Sequence, residues 1–151
     1  MADTMRILAV VAAAAGLACG GDVRDAYVGR WRGFQTLSLA VEDGPGVGQH
    51  VSLQDTAEER IQLAAALDRV QLRLCTITAR IESETELRLD PRTCPMRQVG
   101  GCNVTETILE GTGVLSGDVL TITYTADTTV SGCSVQGSAS GKATIYLSKQ
   151  H

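Results

Sequence analysis

The chain is 151 residues long, with a formal net charge of −4 and only 3% aromatic residues. Acids and bases are interspersed, which argues against nucleic acid and against an electrostatic hold on anionic lipid. The few aromatics, Tyr27, Trp31, Phe34, Tyr124 and Tyr146, make a poor stacking platform for bases or sugars.

The N-terminal stretch reads as an export leader. Arg6 supplies a positive start and Ile7 to Leu17 is an unbroken apolar run of 11 residues, too short to cross a bilayer as a helix. Asp3 does not suit a positive n-region, so Met5 is the better start. Gly16-Leu17-Ala18-Cys19 resembles the lipobox of bacterial lipoproteins. The resemblance implies that residues 1–18 are removed, that the Cys19 thiol is lipidated, and that residues 19–26 tether the domain to a membrane. In that family, the lack of an aspartate directly after the cysteine implies the outer membrane. Cysteine parity agrees: of Cys19, Cys75, Cys94, Cys102 and Cys133, lipidation of the first leaves four for two bridges.

Roughly 133 residues remain after the leader, enough for one domain, placed at 27–151. Trp31, Gly33, Gln35, Leu37, Leu39 and Val41 recur at period two, so residues 31–42 are predicted to be a strand with one buried face. Gly29-x-Trp31 is similar to the first-strand signature of lipocalin-like barrels. There a basic residue late in the last strand stacks on the tryptophan, a role that Lys149 would fill here. Glu42 to Gly48 is a turn cluster, and a second strand is expected near 49–54. Residues 56–70 are ambiguous: Glu58, Glu59, Arg60 and Ala64 to Ala66 favour a helix, whereas Ile61, Leu63, Ala65 and Leu67 alternate as in a strand. Two strands, one through 61–67 and one through 70–74, are preferred because every neighbouring segment is β.

From Cys75 onward the alternation is plain. Ile77, Ala79 and Ile81 lead to a turn centred between Glu84 and Thr85, followed by Leu87, Leu89 and a stop at Pro91. Residues 102–133 form a hairpin about Gly117-Asp118, a two-residue loop suited to a type II′ turn. Pairing about that loop sets Leu115 against Leu120, Gly113 against Ile122, Gly111 against Tyr124 and Leu109 against Ala126. It also places Glu106 and Glu110 together on the outer face. A last strand runs from about 136 to 148, with Ala139, Gly141, Ala143, Ile145 and Leu147 inward.

Cys75 and Cys94 lie symmetrically about the first of these turns, and Cys102 and Cys133 about the second. Opposed strand residues have Cα atoms ~4.5–5.5 Å apart, within disulfide range, so the bridges Cys75–Cys94 and Cys102–Cys133 are expected. The rival, Cys94–Cys102 with Cys75–Cys133, would close the 95–101 loop. A zinc site lacks its Cys-x-x-Cys knuckle, and no metal or other cofactor is expected.

The fold expected is an all-β, antiparallel up-and-down barrel of about eight strands, with an open β-sandwich as the alternative. No catalytic residue stands out: His50 and His151 are isolated, Glu82, Glu84 and Glu86 form a solvated tip, and the sequon Asn103-Val-Thr105 is inert in a bacterium. The function expected is non-enzymatic: an envelope lipoprotein held at the membrane through Cys19, its barrel binding a small apolar ligand. The alternative is a module binding an envelope protein through its loops, similar in size, anchor and disulfides to small lipoproteins that inhibit lysozyme.

Overall fold

The computed structural model describes residues 20–151; the leader and Cys19 lie outside the described residues. The described chain is all-β and antiparallel. Its ten strands are β1 (Gly29–Asp43), β2 (His50–Leu63), β3 (Arg69–Leu72), β4 (Thr78–Ile81), β5 (Glu86–Leu89), β6 (Arg92–Thr93), β7 (Arg97–Val99), β8 (Cys102–Ser116), β9 (Val119–Ser131) and β10 (Gly137–Gln150). They follow the order β5-β4-β3-β2-β1-β10-β9-β8, and a β5–β8 pairing closes these eight into a ring. β1 pairs with β10 from Arg30↔Gln150 to Asp43↔Ser138, so the first and last strands seal one seam.

The other seam is uneven, because β3, β4 and β5 have four residues each while β2 has 14 and β8 has 15. The short strands close only one end of the ring. Over the rest, residues 90–101 run between β2 and β8 as a strap: β6 and β7 pair with β8, and the Gly100 amide donates to Asp55 Oδ2 at 3.1 Å. Closure depends on two glycines. Leu89 lies opposite Gly111 and Leu87 opposite Gly113. A Cβ on either glycine would come within 2.7 Å of the facing leucine's Cδ1. These inward glycines therefore accept leucine side chains instead of thinning the core.

The core follows the predicted alternation of β1 and β10: Trp31, Leu37, Leu39, Val41, Ala139, Ala143, Ile145 and Leu147 are buried. The Trp31 indole donates to the Tyr27 carbonyl at 2.8 Å, and Lys149 Nζ lies 5.4 Å from the ring centroid. Val23–Ala26, which the sequence places in the tether, is a 3-10 turn packed on this end. Its buried Arg24 reaches the carbonyls of Ala64, Ala66 and Arg69.

Both expected bridges form, each with a Cα–Cα distance of 5.1 Å, although neither pair sits directly opposite in a strand ladder. The Gly117-Asp118 loop has a positive φ at Gly117 alone, as a type II′ turn requires.

Three expectations need correction. Residues 56–63 are neither helix nor a separate strand but a continuation of β2, drawn out by pairing with β1 as far as Gly29↔Ile61. The chain then turns over 64–68, leaving Leu63, Ala65 and Leu67 exposed. The first turn is centred on Glu84, since Arg80 pairs with Arg88, and Cys75 sits in a 3-10 corner (Leu74–Thr76) with φ 55° and not on a strand. Finally, Leu109 is bulged out of the β8–β9 ladder, so Ala126 faces Ile108. Two residues opposing one shifts the parity of the strand. Before the bulge it is therefore Cys102, Val104, Glu106 and Ile108 that point inward, and Glu106 is 1% exposed where an outward position was expected.

Candidate functional site

The bulge at Leu109 places a carboxylate inside the ring, and the strap answers it with a cation. Arg97 Nε and Nη2 donate to Glu106 Oε2 at 3.0 and 2.8 Å. Nη2 also donates to the Tyr124 hydroxyl at 2.9 Å, and Nη1 to Gln35 Oε1 at 2.9 Å. The Tyr124 hydroxyl in turn donates to Glu106 Oε1 at 3.0 Å. Both Glu106 oxygens are thereby satisfied, as a buried charge requires. Four bonds use four of the five guanidinium N–H groups, leaving one Nη1 hydrogen without a partner among the described residues. Burial, with the Glu106 carboxylate beside it, pushes the Tyr124 phenol well above its ordinary value. Burial alone would lower the Arg97 pKa, but Tyr124 and Glu106 hold it above its ordinary value. Glu106 pairs across the ladder with Thr128, whose buried Oγ1 has no hydrogen-bond partner among the described residues.

A second inward acid, Glu59 on β2, shapes the neighbouring wall. Its carboxylate accepts from the backbone amides of Arg60 at 2.9 Å, Leu74 at 3.0 Å and, by a short bond, Arg73. These bonds hold the corner where Cys75 and Thr76 adopt φ of 55° and 52°, a left-handed backbone costly for any residue with a Cβ. Burial raises the Glu59 pKa above its ordinary 4.5, against the lowering effect of the three amides.

Between these groups lies a cavity of about 480 Å³. Its walls are Thr56 to Glu59 of β2, the Arg73–Cys75 corner, and Cys94 to Arg97 of the strap, with Gln35 and Ile145 behind. It opens sideways, through the seam that the short strands leave uncovered. Apolar surface comes from Ala57, Leu74, Met96, Ile145 and the Cys75–Cys94 bridge; the polar groups are Gln35, Thr56, Glu58, Glu59, Arg73 and Arg97. That mixture, in a hollow of this size, suits a small molecule with an apolar body and one polar end. Two further hollows lie elsewhere on the ring: one of about 300 Å³ is bordered by Arg88, Glu110, Thr112, Thr123 and Lys142, and one of about 540 Å³ runs from His50 and Ser52 of β2 across β1 to Asp127 and Lys142.

Of the residues singled out in the sequence, Cys75 and Cys94 border the cavity, whereas Cys102–Cys133 staples the far end of the β8–β9 hairpin. His50 and His151 are exposed and remote from it, and Glu82 at the acidic tip pairs with Arg80 and Arg88. Glu59, Arg97 and Glu106 were missed as site residues. Glu59 had a signal, for Leu53, Ala57, Glu59 and Ile61 share one parity of β2. Glu106 had none without knowledge of the bulge. No protein-family model, curated protein or solved structure matches this chain.

Proposed function

We propose that the protein is a non-enzymatic lipoprotein of a bacterial cell envelope, anchored through Cys19, whose barrel holds a small, largely apolar molecule in its side cavity. The observation that carries this reading is the 480 Å³ hollow into which Arg97 and Gln35 turn beside Ala57, Met96 and Ile145. The ligand's apolar part packs on those three side chains, and an acceptor oxygen at its polar end takes the uncommitted Arg97 N–H. The anchor is supported by the leader and by Gly16-Leu17-Ala18-Cys19; two disulfides suit an oxidising compartment such as the envelope. Arg97 is matched to Glu106 and so is not a free anion trap, which favours an amphipathic ligand over a strongly charged one.

Nile red, an uncharged apolar dye with a carbonyl acceptor at one end, tests the cavity. It should brighten on saturable binding to the native protein, and Ala57→Trp, which fills the cavity from β2, should reduce its affinity at least tenfold. Unchanged binding by the variant would rule out this cavity as the site.

A further inference from the structure

We propose that the closed end of the ring is a membrane-docking face, whose apolar tip at the β2–β3 turn, with Val23 beside it, enters an uncharged lipid surface. Gln62 to Leu67 carries no charged residue. Leu67 is 85%, Leu63 50% and Val23 46% exposed, and Ala65 and Ala66 are exposed with them. The β2–β3 turn is fixed to the start of the described chain by Arg24. Its Nη1 donates to Ala66 O at 3.1 Å and Arg69 O at 3.3 Å, while Nε and Nη2 grip Asp22 at 2.6–3.0 Å. The chain therefore leaves the fold directly beside the tip.

Cys19 lies three residues before Asp22, a span of at most about 10 Å. A lipid on Cys19 thus brings Leu67 and Val23 within reach of the bilayer. The inference rests on the lipidation of Cys19. The charge around the tip selects the kind of surface. The Glu82–Glu86 turn is at the same end, since Tyr27 Oη donates to Ser83 O; Glu82 is paired with Arg80 and Arg88, but the exposed Glu84 and Glu86 form no ion pair among the described residues and would repel an anionic membrane. Docking is therefore to neutral lipid, driven by apolar burial.

The test places a second tryptophan in the full, membrane-extracted chain, whose own Trp31 is buried. Leu67→Trp marks the tip, and Val47→Trp marks the exposed β1–β2 turn at the opposite end. Each variant is reconstituted into phosphatidylcholine vesicles with brominated acyl chains and floated on a density gradient. The anchored protein should float, and the brominated lipid should quench the added emission of Leu67→Trp at least twofold while leaving that of Val47→Trp unquenched. Protein that floats without selective quenching of the Leu67→Trp variant overturns the docking face and leaves the anchor standing. Failure to float overturns both.

Discussion

Glu59 shows how one side chain can serve local backbone needs at an electrostatic cost. It stabilises a corner that no glycine occupies, accepting the amides of Arg60, Arg73 and Leu74, of which Arg73 is shared with the Arg60 carbonyl at 3.1 Å. Because its folded pKa lies above the ordinary 4.5, the native state binds a proton more tightly than the unfolded chain does. Stability should therefore fall as pH rises from about 4.5 through the native pKa, the sign opposite to that of a salt-bridged acid. In Glu59→Gln this part of the slope should vanish. Urea denaturation of wild type and variant at pH steps from 4 to 8 checks it, and identical slopes would contradict the burial argument.

Strands β7 and β8 show where the sequence was legible and where it was not. Period-two alternation located β1, β8, β9 and β10, because it is a local signal; turn symmetry named the right cysteine partners although both ladders run one residue out of the assumed register, an offset that a disulfide spans. The β8 bulge broke the second kind of argument. One extra residue at Leu109 reversed the facing of everything before it, and the sequence there, Thr107-Ile-Leu-Glu110, carries no glycine to mark the break. The strap was illegible for a related reason: β6 and β7 have two and three residues, too short for any periodicity to declare itself. Over residues 56–63 the preference for strand over helix agrees with the structure, since pairing with β1 over a dozen residues outweighs a weak helix propensity; what the alternation did not show is that the segment continues β2.

The Arg97–Glu106 pair fastens the strap to β8, and its energetics follow from burial. Glu106 has a side-chain exposure of 0% against 22% for Arg97, so removing the cation strands a carboxylate in the core. Arg97→Met alone should cost about 3–5 kcal/mol, whereas Arg97→Met with Glu106→Leu should cost far less or nothing. A double-mutant cycle by urea unfolding reads this directly. Additive losses would mean that the two groups are not coupled as the geometry requires. The bridges act on the unfolded chain instead: sequence separations of 19 and 31 correspond to about 3–4 kcal/mol each in the chain-entropy model.

At the scale of the whole molecule, the ring is closed and well packed at the end where the chain enters, and open along one side where three short strands face two long ones. Trp31, Tyr27 and Arg24 fill the first region; the strap, the Cys75–Cys94 bridge and the 480 Å³ cavity occupy the second. On the proposals made above, this division would separate attachment from binding, with the tip beside the start of the described chain turned to the membrane and the cavity opening along the side. The most direct test of the central claim is native mass spectrometry of the full chain released gently from its own membranes. The account predicts a species heavier than the lipidated polypeptide by one small molecule, with that added mass missing from Ala57→Trp. A polypeptide of bare lipidated mass in both, or an adduct that survives Ala57→Trp, would contradict it.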